Sequence, residues 1–269
     1  MREPVVAGQF YPGTRGAIEK LLDELVNKSE KKEEAKAVVM PHAGYVYSGR
    51  VAGATISAVN LKSTYLILGP NHTGMGTAFS LMSSENWRTP LGEVGVDKKL
   101  AQAILSGSRL IKEDKSAHAY EHSIEVQLPF LQYLSTADFK IVPIVVASAD
   151  LSALKVAGKE LAAALKKSGT EKETLIIASS DMTHYESQQS AEEKDKQAIE
   201  AILKLDEDLL LKRVREMDIS MCGFAPTIMM LTAAKELGAN KARLVKYQTS
   251  GDSSGDYSAV VGYAGIVVK

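Results

Sequence analysis

Short apolar runs alternate along the chain with segments in which apolar residues recur at helical spacing. The runs predict buried strands and the spaced segments predict amphipathic helices, an alternation typical of an α/β fold. The predicted strands are residues 37–40, 65–68, 78–82, 140–146, 174–178, 243–248 and 257–267. Thr14 is predicted to cap the first helix, and a last helix is predicted from Cys222 to Gly238. The helices predicted between them are residues 50–59, 97–105, 124–134, 150–167, 191–203 and 207–215. Residues 86–95 are predicted as a loop.

No linker rich in proline, glycine or serine divides the chain, and no internal repeat is visible. The economical prediction is a single α/β domain over residues 1–269, with a mostly parallel central sheet, mixed at its edges and flanked by helices. A chain of 269 residues buries enough apolar surface to need no disulfide or structural metal for folding.

Two of the predicted strands are followed closely by a histidine. Residues 38–40 lead into Pro41 and His42, and residues 66–68 lead through Gly69 to His72. If the two strands are neighbours in one βαβ unit, both imidazoles emerge at the carboxyl edge of the sheet, where open α/β folds bind ligands. A single loop histidine is more often a hydrogen-bonded bystander, but two in equivalent positions favour a shared metal site.

Cys222 is the only cysteine, so an internal disulfide is excluded and a reducing compartment is favoured. One interpretation is a buried structural thiol. The other is a third metal ligand, because Pro226 suits the first turn of a helix and would put Cys222 at that helix's N-terminus. There the helix dipole stabilises the thiolate, which is the form that binds metal.

Three further histidines offer other chemistry. Asp181 and His184 follow a predicted strand and could form an oriented acid–base pair, although a helix cap and a polar loop residue explain them equally well. His122, between acidic residues, is a candidate second base or substrate contact. His118 is expected to be exposed.

Residues 251–255 match the G-x-S-x-G pattern of serine hydrolases, with Ser253 as the nucleophile. A nucleophile elbow requires a strand, a sharp turn and then a helix, whereas a strand is predicted directly after this segment. The match is therefore interpreted as a hairpin loop, and a serine hydrolase is the weakest functional hypothesis.

Charge and hydropathy exclude several classes of partner. The net charge is −1 and no basic stripe with aromatic residues is present, which argues against nucleic acid. The longest apolar stretches are too short to span a membrane, and the N-terminus lacks the apolar core of a signal peptide. We therefore expect a cytoplasmic protein. Its oligomeric state is not fixed by the sequence, and a homo-oligomer is compatible with it.

Five motifs, in this order, resemble the Memo family, named after a mediator of ErbB2-driven cell motility. They are PHAGYVYSG, LGPNH, EHSIEVQLPF, SSDMTHY and MCGFAP, and the likeness extends over nearly the whole chain. The resemblance implies the fold of class III extradiol dioxygenases. It also implies a metal pocket lined by His42, His72 and Cys222, with His184 as acid–base group, Asp181 preceding it, and His122 in the third motif.

The implied cofactor is a divalent or redox metal ion, with iron or copper favoured and zinc as an alternative. A thiolate in place of the dioxygenase carboxylate changes the redox chemistry, so activity does not follow from the fold alone. Two functions therefore stay open. One is metal-dependent redox or dioxygenase-like chemistry on an unknown substrate. The alternative is a catalytically silent module that binds a peptide or small molecule in the same pocket.

Overall fold

A computed structural model describes residues 1–269. Its helices are α1 (Arg15–Leu25), α2 (Tyr45–Ser57), α3 (Lys98–Gly107), α4 (Leu128–Leu134), α5 (Leu151–Ser168), α6 (Gln188–Leu203), α7 (Glu207–Glu216), α8 (Phe224–Glu236) and the single turn α9 (Gly251–Ser254). Its strands are β1 (Ala37–Met40), β2 (Thr64–Pro70), β3 (Phe79–Leu81), β4 (Trp87–Thr89), β5 (Gly92–Val96), β6 (Lys112–Glu113), β7 (Lys140–Val146), β8 (Thr174–Ser179), β9 (His184–Glu186), β10 (Ala242–Thr249) and β11 (Val260–Val268).

The central sheet has the order β10-β11-β1-β8-β2-β7-β3-β6. Its four central strands, β1, β8, β2 and β7, are parallel to one another, whereas β10, β11 and β3 add antiparallel pairs towards the edges. The parallel strands are buried almost throughout, because helices cover both faces of the sheet. The buried side chains form two apolar clusters of 43 and 28 residues. The predicted α/β class with a mixed sheet is confirmed.

The prediction that the two strands preceding His42 and His72 are neighbours in the sheet is wrong. Strands β1 and β2 do not pair with each other, because β8 lies between them and pairs in parallel with both. The carboxyl ends of all three strands still meet at one edge of the sheet. The segment that follows β8, which contains Asp181 and His184, therefore begins between the two histidine loops.

Thr14 occupies the N-cap position of α1, as predicted, but its side chain makes no capping hydrogen bond. The side chains of Asp97 and Asp150 accept hydrogen bonds from backbone N–H groups in the first turns of α3 and α5. The predicted loop 86–95 contains the antiparallel hairpin of β4 and β5, in which Trp87 is fully buried. The turn is closed by Gly92, whose φ of 127° is accessible to glycine and strained for other residues.

The C-terminal third closes the sheet with β10 and β11, an antiparallel pair. Ser253 lies in α9, within the connection between these two strands, where its N–H bonds the carbonyl of Ser250. A strand and not a long helix follows this turn, so the segment lacks the strand–turn–helix form of a nucleophile elbow. None of the helices combines the length and the apolar character that crossing a membrane demands.

Candidate metal centre

Three imidazoles meet at the carboxyl edge of the central strands. One potential ligand atom from each of His42, His72 and His122 lies within 4.8 Å of the other two. The rings of His72 and His122 stack with centroids 4.8 Å apart, and the His42 ring stands edge-on to both, at 5.2 and 5.5 Å. A group of this kind could hold a metal ion.

His42 is the buried member of the group. Its backbone N–H donates to Asp181 Oδ1 at 2.8 Å, and its Nδ1 lies 2.9 Å from the hydroxyl of Ser179 at the end of β8. Burial, followed by the nearby imidazoles, lowers the pKa of His42 well below its usual value. The ring is therefore neutral near pH 7 and offers Nε2 as a lone-pair donor.

His72 lies at the rim, with about a third of its side chain exposed. The carboxylate of Glu121 accepts hydrogen bonds from its backbone N–H at 2.6 Å and from Nδ1 at 2.9 Å. Partial burial lowers the pKa of His72, but the hydrogen bond and charge of Glu121 outweigh it and the net pKa is raised. The same contact lowers the pKa of Glu121 to about 2, against the effect of its burial.

Cys222 contacts the cluster from the segment that precedes α8. Its Sγ lies 3.3 Å from His42 Nε2 and accepts a hydrogen bond from the backbone N–H of Asp181, also at 3.3 Å. The approach depends on Gly223, because a Cβ there would lie 2.4 Å from the Ser179 carbonyl oxygen. Burial, then the Asp181 carboxylate, raises the pKa of the thiol well above its usual value. These effects outweigh the stabilisation of the thiolate expected from the N-terminus of α8.

Asp181 and His184 are held by different partners. Asp181 is buried, its carboxylate accepts the N–H of His42, and burial raises its pKa. His184 has Nδ1 2.9 Å from the carbonyl of Ser220 and donates its backbone N–H to the Ser220 hydroxyl at 2.7 Å. The imidazole of His184 is thus oriented by Ser220, and no hydrogen bond joins it to Asp181.

His118 and His122 lie four residues apart but have different surroundings. His122 is partly exposed, stacks on His72 and meets the ring of Phe10 edge-on, with centroids 4.9 Å apart. His118, expected to be exposed, is fully buried instead, because its Nε2 bonds the carbonyl of Ser80 and its ring packs against Trp87. Burial lowers the pKa of His118 to about 4.

Sequence reasoning missed two partners of the histidines, Ser179 and Glu121. The signal for Glu121 was its place directly before His122, but nothing in the local pattern pairs it with His72. The loop of Glu121 closes on β2 at Gly69, where a Cβ would lie 2.5 Å from the hydroxyl of Ser123. That close approach is set by tertiary packing.

Comparison of the sequence with known protein families shows which family the chain belongs to. The family described as Memo-like protein matches residues 2–267. The chain belongs to the Memo family. MEMO1 family proteins of two other organisms illustrate the relationship along the entire chain. That of Methanococcoides burtonii is 47% identical and covers 100% of both chains. That of Aquifex aeolicus is 41% identical and covers 99% of this chain and 98% of its own.

A solved structure supports the fold of this Memo-family chain. The crystal structure of an uncharacterized protein from Escherichia coli K12 superposes with a TM-score of 0.57. The likeness covers 86% of this chain and 98% of the other, at 12% sequence identity. At that identity the match concerns the fold alone.

The donor set of the site suits a transition metal. Imidazole nitrogen binds zinc, copper and iron, and a thiolate favours the softer of these ions. Because Ser179 and Glu121 already engage Nδ1 of His42 and His72, the Nε2 atom of each ring remains for an ion. Metal-binding histidines in proteins usually have their second nitrogen occupied in this way. The residues present therefore fit a metal ion.

Proposed function

We propose that this protein binds a redox-active metal ion through His42, His72 and Cys222 and performs oxidative, dioxygenase-like chemistry on a small molecule. Iron or copper is proposed and zinc is the alternative, because imidazole and thiolate bind all three metals but zinc has no redox chemistry. The observation that carries the proposal is the meeting of three imidazoles with the Cys222 sulfur 3.3 Å from Nε2 of His42, while Nδ1 of His42 and of His72 is already engaged.

The bound ion would supply Lewis acidity and electron transfer. The protein side of the reaction falls to its neighbours. In His184, Nδ1–H donates to the Ser220 carbonyl, which leaves Nε2 free to accept a proton from a substrate hydroxyl. Asp181 would hold the His42 loop in place, since its carboxylate accepts the backbone N–H of His42. The imidazoles of His122 and His72 are partly exposed, and a substrate would contact them there.

The ligand assignment is tested by measuring metal content after purification without added metal. We expect His42→Ala, His72→Ala and Cys222→Ser each to lose most of the metal that the wild type retains. His122→Gln is the matched variant, since His122 belongs to the imidazole cluster but not to the proposed ligand set. Loss of metal in His122→Gln with full retention in Cys222→Ser would replace the proposed set with three histidines.

Turnover is tested by oxygen consumption with iron or copper and a panel of catechols. We expect activity in the wild type and a loss of about 10²-fold or more in His184→Ala, as for removal of a general acid–base group. Metal binding and catechol binding without oxygen consumption would favour the silent binding module. A fluorophosphonate probe checks the weakest hypothesis, and we expect no labelling of Ser253.

A further inference from the structure

We propose that Glu121 is a positioning residue of the metal centre, which holds His72 with its proton on Nδ1 and so directs Nε2 towards the ion. The inference rests on the proposed function for the presence of a metal. The orientation of the ring can be tested independently of any metal.

The carboxylate of Glu121 is surrounded by donors from the two loops that it joins. Oε2 accepts the backbone N–H of His72 at 2.6 Å, and Oε1 accepts its Nδ1–H at 2.9 Å. Oε1 also accepts the N–H of Ser123 at 2.8 Å and lies 3.5 Å from Nδ1 of His122. Both stacked imidazoles therefore have Nδ1 near one buried negative charge, and in each the opposite nitrogen is Nε2.

Arg2 holds the backbone of Glu121 in place. This guanidinium donates to the carbonyl oxygens of His118, at 3.2 Å, and Glu121, at 2.6 Å, and forms an ion pair with Glu125. No lysine or arginine forms an ion pair with the Glu121 carboxylate, whose ion-pair partners are His72 and His122. An immobile carboxylate of this kind restricts the orientation of the His72 ring.

One substitution distinguishes this role from a purely structural one, in which Glu121 would only accept hydrogen bonds from loop N–H groups. The amide in Glu121→Gln has one acceptor and one donor group, whereas the carboxylate has two acceptors. In either orientation of the amide its NH₂ group faces a donor, because both carboxylate oxygens accept N–H groups in the wild type. With the NH₂ group on the side of Nδ1, the ring must accept through Nδ1 and carry its proton on Nε2, the atom needed for the metal.

The test combines nitrogen NMR of the histidine rings with cobalt binding. In the metal-free wild type at alkaline pH, ¹⁵N spectra should show His72 as the Nδ1–H tautomer, and Glu121→Gln should convert it to Nε2–H. Titration with Co²⁺, followed by the visible absorption of the bound ion, should show affinity weakened about 10- to 100-fold in Glu121→Gln.

Glu207→Gln is the matched control, because Glu207 is a buried carboxylate that bonds the Thr232 hydroxyl and pairs with Lys235, and it contacts none of the histidines. It should leave the tautomer of His72 unchanged. An Nε2–H tautomer of His72 in the wild type overturns the proposal, even if Glu121→Gln fails to fold. So does a Glu121→Gln protein with the wild-type tautomer and cobalt affinity. Failure of the wild type to bind any metal would contradict the proposed function while the NMR result still decides the role of Glu121.

Discussion

His42 and His72 occupy equivalent positions, each directly after a parallel strand, yet their surroundings are opposite. His42 is buried, its Nδ1 is engaged by the neutral hydroxyl of Ser179, and its pKa is lowered. His72 is a third exposed, its Nδ1 is engaged by the charged Glu121, and its pKa is raised. The parallel strands determine where both imidazoles lie. The loop that meets each ring determines its protonation and its strength as a ligand.

The segment that meets His72 contains buried charged groups, so its stability should depend strongly on charge. Replacement of Glu125 tests this and has the largest expected effect. Glu125 is fully buried and accepts hydrogen bonds from Arg2, Tyr11 and the N–H groups of residues 5 and 6. Glu125→Ala leaves the Arg2 guanidinium buried without its partner, so urea unfolding should show a loss of about 3–5 kcal/mol.

Glu3→Ala is the control for this measurement, since the pair of Glu3 with Arg88 is more than half exposed at both side chains. We expect a change within about 0.5 kcal/mol, as for other exposed pairs. A Glu125→Ala protein as stable as the control would mean that the buried pair does not support the His72 side.

On the His42 side, the corresponding change is Ser179→Ala, with an intermediate effect. The Ser179 hydroxyl bonds Nδ1 of His42, Nε2 of Gln127 and the carbonyl of Ser123, at 2.7–2.9 Å. Its loss leaves neutral buried groups unpaired, which costs about 1–3 kcal/mol in the free energy of unfolding. Ser258→Ala, at an exposed serine, should change stability by less than about 0.5 kcal/mol. A larger loss for Ser179→Ala than for Glu125→Ala would reverse the contrast.

The pH dependence of stability gives the smallest effect and should have opposite signs at the two rings. The pKa of His42 is lowered on folding, so below pH 6.5 the unfolded chain takes up a proton that the folded protein does not, and stability falls. The pKa of His72 is raised, so its contribution is fully present below pH 6.5 and is lost as the pH rises through the folded value.

From pH 6.5 to 5.5, metal-free His42→Gln should therefore lose about 1 kcal/mol less stability than the wild type. His72→Gln should lose slightly more than the wild type, by a smaller amount because solvent screens the exposed ring. Parallel stability curves for the wild type and both variants would show that the two environments do not differ in solution.

Much of the site could be predicted because local pattern determines it. An apolar run that stops at Pro41, or at Gly69 and Pro70, identifies a strand end, and parallel strand ends share an edge of the sheet. The insertion of β8 between β1 and β2 could not be predicted, since strand order depends on contacts between distant segments. The pairing of Glu121 with His72 depends on the same kind of contact, across a sequence separation of 49 residues.

The hairpin of β4 and β5 was missed for another reason. Its strands have three and five residues, too few for a reliable alternation of apolar and polar positions. The burial of His118 was missed because the sequence does not show that Trp87 and Ser80 fold over it. In each case the deciding interaction lies outside the local segment.

The most direct test of the central claim is a crystal structure of the metal-bound protein with anomalous data at the iron, copper and zinc edges. We expect one strong anomalous peak, bonded to Nε2 of His42, Nε2 of His72 and Sγ of Cys222, with the element identified by its edge. A peak bound away from these three atoms, or a Cys222 sulfur turned away from both rings, would contradict it.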